Sequence, residues 1–177
     1  ILSDQSFEIR EYPEALVAQV TVSGPYKDAR TKAFKILAGY IFGKNKGDSE
    51  ISMTSPVQIK QEPTKIAMTS PVEIKQTNGK YTMAFFMPKK FTLETLPEAI
   101  DKRIVFKVTK SKLTVSIVYS GSNTKELSTE KHLELRNWLN AMTEYVGEEG
   151  HSFYGYNPPW TLPFMRRNEV HINIVKK

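Results

Sequence analysis

The sequence predicts an α+β fold in which one antiparallel sheet is assembled from two related halves, each carrying one long helix. Three observations support this. They are a tandem of alternating apolar residues over 50–76, an Asn-Gly pair at Asn78-Gly79, and an echo of the chain's opening displaced by 97 positions.

The tandem reads EISMTSPVQIKQ and then KIAMTSPVEIKQ. Ile51, Met53, Ser55, Val57 and Ile59 alternate in the first copy, and Ile66, Met68, Ser70, Val72 and Ile74 in the second. That is the period of a half-buried strand. A turn at 61–64 sets Ile59 opposite Ile66 and Met53 opposite Val72. Asn78-Gly79 tolerates the positive φ of a two-residue hairpin turn, and sets Ile74 opposite Met83, Val72 opposite Phe85 and Ser70 opposite Met87. One apolar face then crosses three strands, so MTSPV reads as core and bend rather than as a ligand contact. Pro56 and Pro71 lack the N–H of a central strand, and a bulge or break is expected at each Ser-Pro.

The 97-residue displacement carries Ile9 onto Phe106, Leu16 onto Leu113, Val20 onto Ile117 and Ser23-Gly24 onto Ser120-Gly121. Each copy is a short strand, a turn, a long alternating strand and a helix. Over 26–42, apolar residues fall at 29, 33, 36, 37, 40 and 41; over 126–146, Leu135, Trp138, Leu139, Met142 and Val146 form one stripe. Gly43 and Gly147 are expected to stop these helices. The strands YTMAFFM, HSFYGY and EVHINIV return after them. The halves occupy about 7–97 and 104–175 of a single domain over 1–177. Joining them gives one curved or barrel-like sheet.

At 177 residues, 40% hydrophobic and 11% aromatic, the chain has the apolar content for a core. No apolar run approaches the ~20 residues that span a bilayer. The absence of cysteine excludes disulfides and Cys-ligated metal or haem, and accords with a reducing cytoplasm. The chain opens ILSDQSFE without an initiator Met, as it would after loss of a leader. A net charge of +6 suits anionic partners. The charge is dispersed and no nucleic-acid-binding signature accompanies it, so nucleic acid is not an expected partner. No HExxH, CxxC, glycine-rich phosphate loop or nucleophile-elbow serine occurs.

In order along the chain, FEIREYPEALVA, KILAGYIFGKN, KIAMTSPV, YTMAFFMPKKFTLETLPEAIDKRI and YGYNPPWTLPFMRRNEVHI resemble the SOUL haem-binding protein family. The resemblance runs from Phe7 to Asn173. It implies a distorted antiparallel β-barrel of two βαβ-type halves, similar to the ligand-binding domain of gyrase-inhibitor-like regulators. It also implies non-covalent binding of haem or a related tetrapyrrole; the reading taken from it is a monomer that binds this ligand for trafficking, buffering or sensing. The implied pocket lies between the first helix and the loop joining the last two strands, here 26–42 and 157–167. Some members are thought to ligate the iron through a histidine near the first helix. This chain has only His132, His151 and His171, so its first helix supplies none.

On the first helix, Arg30 falls beside the apolar stripe of Phe34, Leu37 and Ile41. A cation there is either a snorkelling edge residue or the partner of a propionate at a pocket rim. In YNPPWTLPFMRR, three prolines stiffen the loop. Trp160, Phe164 and Met165 offer flat or soft apolar surface for a macrocycle, and Arg166 and Arg167 offer two more propionate partners. The plain alternative is a connector packing its aromatics on the end of the sheet. His132 reads as a packing or capping residue. His171, alternating with Val170 and Ile172, is the histidine best placed to reach a ligand as an axial group. Binding is nevertheless expected to rest on apolar burial and arginine–propionate pairing. The competing reading is an enzyme on the same scaffold, acting on haem or hydrolysing a small molecule, with Glu169, Tyr156 and Trp160 as its candidates. A strongly raised pKa at a buried Glu169 would favour it.

Overall fold

The computed structural model describes residues 2–4, 6–46, 69–77, 80–122, 124–157 and 160–177. The first copy of the tandem and its turn at 61–64 lie outside them. Pro13-Glu14 and Lys110-Ser111 each break an extended run in two. The first gives β2 (Phe7–Tyr12) and β3 (Ala15–Ser23), and the second gives β8 (Val105–Thr109) and β9 (Lys112–Tyr119). Each long strand feeds a helix, α1 (Tyr26–Ile41) or α2 (Lys125–Asn140). The remaining strands of the main sheet are β1 (Leu2–Asp4), β5 (Thr69–Thr77), β6 (Lys80–Phe86), β10 (Tyr145–Gly147), β11 (Ser152–Gly155) and β12 (Asn168–Lys176). β4 (Asn45–Lys46) and β7 (Glu98–Ala99) pair separately.

The main sheet is antiparallel and ten-stranded, in the order β1-β2-β9-β12-β11-β5-β6-β3-β8, with β10 also on β12. The first strand of each half pairs with the long strand of the other: Ile9 faces Val115, and Ala18 faces Phe106. These two pairings are one pairing displaced by 97 residues, the same displacement as the sequence echo. Among the described residues no ladder joins β1 to β8, so the barrel expected from the resemblance is here an open sheet.

The Asn-Gly hairpin has the predicted register, with Ile74 opposite Met83 and Val72 opposite Phe85. Beyond Val72 the register slips, and Thr69 pairs with Phe86. This is the break expected at Ser70-Pro71, where proline cannot donate to the ladder, and it removes the Ser70–Met87 pairing. Helix α1 ends as foreseen, with Gly43 at φ 105°. Helix α2 begins with the Thr124 hydroxyl capping the Leu127 N–H at 3.2 Å, but it stops at Asn140 rather than running to Val146. Residues 145–147 instead form β10, in which Val146 faces Val175. Edge pairing overrides the helical stripe there. Gly147 therefore does not stop a helix; a Cβ on it would come within 2.6 Å of a Leu139 methyl and 2.8 Å of the Arg136 guanidinium.

Ala29, Ala33, Leu37, Tyr40 and Ile41 of α1 and Leu135 and Leu139 of α2 share one core with alternate residues of the sheet. Those include Ala18, Val20, Phe85, Val115, Ile117, Val170 and Ile172. Strand alternation turns Thr114, Ser116, Glu169 and His171 to the opposite face, where they too are buried. The sheet thus has an apolar face under the helices and an opposite face that buries polar side chains. Among the described residues no helix is long and apolar enough to cross a membrane.

Candidate functional site

The loop between β11 and β12 carries an unusual surface. Trp160, Phe164 and Met165 are 81%, 73% and 62% exposed. Three large apolar side chains are thus exposed on one loop. The backbone around them is held in place. Gly121 N–H donates to the Pro163 carbonyl at 2.9 Å, and Asn168 Nδ2 to the Gly121 carbonyl at 3.1 Å. Arg167 N–H donates to Asn157 Oδ1 at 2.6 Å, and Arg166 Nε to the Thr161 carbonyl at 2.7 Å.

The first helix divides its expected site residues. Leu37 and Ile41 are fully buried in the core. Phe34 is half-buried, edge-on to Phe85 at 5.7 Å. Arg30, also half-buried, places its guanidinium 5.8 Å from the centre of the Tyr26 ring. Burial and then the neighbouring Tyr26 raise the pKa of the Tyr119 hydroxyl. Tyr119 ends β9 two residues before Gly121, the anchor of the loop.

On the polar face, Glu169 gathers donors from two strands and the loop. Its Oε2 accepts from Arg10 Nη1 at 2.8 Å, from the Tyr156 hydroxyl at 2.8 Å and from His171 Nε2 at 2.7 Å. Its Oε1 accepts from Arg167 Nε at 3.0 Å and Nη2 at 2.6 Å. Burial alone would raise the carboxyl pKa, but the bonds from His171, Arg10 and Tyr156 outweigh it and hold the group near pKa 2. The raised pKa that would favour an enzyme is absent. Burial lowers the pKa of His171 against the pull of Glu169. A neutral ring with its proton on Nε2 fits both observations, because it leaves Nδ1, which has no hydrogen-bond partner among the described residues, as a bare acceptor. Tyr154 and Tyr12 flank the ring at centroid distances of 4.0 and 5.5 Å.

The other histidines, His132 and His151, stack at 4.0 Å. Burial, then His151, lowers the pKa of His132 to about 4. Among the described residues no group of three or more acidic or histidine side chains is arranged to hold a metal ion. The sequence reading named Glu169 with Tyr156, placed Arg167 and His171 in other roles, and missed Arg10, Tyr12 and Tyr154. The signal for Arg10 was a charge alternating with the core residue Ile9 on a short strand, but its partner lies 159 positions away.

The family profile "SOUL heme-binding protein" matches residues 1–173. Heme-binding protein 2 of Mus musculus is 28% identical over 167 residues, covering 93% of this chain and 76% of its own. Heme-binding protein 1 of Xenopus laevis is 30% identical over 171 residues, covering 93% and 82%. Among solved structures, the EcmrR C-terminal domain superposes with a TM-score of 0.68 at 12% identity, over 97% of this chain and 98% of that one. A hydrolase from Listeria innocua superposes at 0.63, also at 12% identity, over 98% and 94%. These structures share the fold. The profile takes in both helices, the aromatic loop and the strand bearing Glu169 and His171, and on that match the chain belongs to the SOUL heme-binding protein family.

Proposed function

We propose that this protein is a monomeric, cytoplasmic binder of haem or a related tetrapyrrole, held non-covalently for trafficking, buffering or sensing. The domain is single, with halves at about 7–97 and 104–175, and its scaffold is of the gyrase-inhibitor-like kind. The observation that carries this reading is the braced loop with Trp160, Phe164 and Met165 held open beside two arginines. A macrocycle is a flat apolar body with propionates along one edge. The aromatic and thioether groups cover its face. Arg166, Arg167 and Arg30 meet the propionates, and half-buried Phe34 adds apolar surface from the first helix.

The residues fit the macrocycle and its carboxylates better than they fit the iron. There is no cysteine. His171 is 2% exposed with Nε2 engaged, and His132 and His151 stack on each other. Family membership and the relatives' names support haem as the ligand. Against the enzymatic alternative stands Glu169, whose two oxygens are occupied by five donors and whose proton is lost well below neutral pH. A visible-absorption titration with hemin and with iron-free protoporphyrin tests the proposal. Similar affinity for both is expected; binding of hemin alone would show that the iron is ligated.

A further inference from the structure

On the side of α1 that faces residues 97–104 lies a groove of about 710 Å³ that the tetrapyrrole reading does not use. Its apolar lining is Ile36 and Tyr40 of α1 with Ile100 and Ile104 across from them. The two walls are tied together. The Tyr40 hydroxyl donates to the Pro97 carbonyl at 2.9 Å, and Asn45 in β4 pairs with Ala99 in β7. Ile104 and Tyr40 are buried, whereas Ile100 is 58% exposed, so the groove has a closed floor and an open apolar lip.

The rim is cationic. Lys27, Lys32 and Lys35 come from two adjacent ridges of α1, and Lys44 from the segment after it. The Lys44 stem lies across the helix at Gly39, where a Cβ would meet its Cδ at 3.3 Å. Among the described residues none of these four lysines is in an ion pair. Two carboxylates share the lining. Asp101 is held by Arg103, with Nη2 at 2.6 Å from Oδ2, and Asp28 stands alone against the lysines. Four exposed ammonium groups around a recessed apolar floor complement a molecule with an anionic head and an apolar body. Lysine, a hydrated point charge, suits a compact head group without demanding fork geometry. A groove of this size is in the range that takes one small ligand.

We propose that this groove is a second binding site, for a single-chain amphiphilic anion of the fatty-carboxylate class, its chain on Ile36, Ile100 and Ile104 and its head among the lysines. The site does not depend on the tetrapyrrole reading.

Calorimetric titration with laurate below its micellar concentration tests the proposal. One laurate per chain is expected, with affinity falling as salt rises. The double variant Lys32→Glu with Lys35→Glu should weaken it roughly tenfold or more. Ile100→Asp should weaken it as well. All three positions are exposed, so the variants should keep the parent circular dichroism, and hemin affinity should be unchanged in each. Inorganic phosphate should give no heat, because the apolar body is required. Laurate binding that survives both variants would overturn the proposal. So would its loss in a Trp160→Ala, Phe164→Ala variant, which would place laurate on the tetrapyrrole surface. Binding to phosphatidylserine vesicles with no binding of monomeric laurate would overturn it too, in favour of a membrane contact.

Discussion

Arg167 grips Glu169 with two bonds that converge on one carboxylate oxygen, Nε at 3.0 Å and Nη2 at 2.6 Å from Oε1. The arginine side chain is 51% exposed and the carboxylate 0%. A buried charge on the polar face of the sheet is thus wired to a cation at the mouth of the aromatic loop. Breaking either end affects both stability and the loop.

Glu169→Gln should cost on the order of 3 kcal/mol, because it leaves Arg167 without its countercharge and Arg10 with Glu8 alone. The carboxyl pKa is depressed from 4.5 to about 2 in the folded state. Its contribution is therefore fully present above about pH 4.5 and is lost as pH falls through about 2. Urea unfolding of the parent followed from pH 6 downward, as roughly spaced steps, should show this acid loss. The variant should lack it. An identical acid profile in both would mean that another carboxylate governs acid unfolding.

Replacing Trp160 and Phe164 together by alanine should weaken hemin binding by about 1–3 kcal/mol. Both side chains are exposed, so the thermal midpoint should stay at the parent value. Unchanged hemin affinity would reduce the loop to a connector.

Substituting Arg30, Arg166 and Arg167 by glutamine should lower affinity for hemin and protoporphyrin alike, by about 1 kcal/mol per pair and less at high salt. His171→Ala should leave the haem absorption band nearly unchanged while lowering stability, since the ring is buried between Tyr12 and Tyr154. A large spectral shift in the histidine variant, with the arginine variant binding normally, would establish axial ligation from β12.

Gly147→Ala should destabilise by about 1–2 kcal/mol, through overpacking against buried Leu139. Its midpoint in thermal unfolding checks this. A neutral effect would mean that β10 moves away from α2 without penalty.

Local rules acting on local residues determined the elements. The Asn-Gly turn, the alternation around Ile74 and Met83, the bulge at Ser70-Pro71 and the start of α1 all follow from backbone sterics and period. These need only neighbouring residues. The 97-residue echo went further and anticipated that two long strands and two helices would correspond. It did not reveal that each half lends its first strand to the other, because strand exchange is a choice of partner that neither half encodes alone. The end of α2 was misread for the same reason. Its apolar stripe continues to Val146, and only the open edge of β12 makes a strand there the better use of those residues. At the site, Trp160, Phe164 and the arginines were legible as a proline-stiffened aromatic loop. Leu37 and Ile41 looked equally available on the helical wheel, yet packing against the sheet removed them from the surface. The cluster on Glu169 needed the tertiary fold altogether: Arg10 and Glu169 come from opposite ends of the chain, and only the pairing of β2 and β12 with β9 brings them to one buried face where the carboxylate collects five donors.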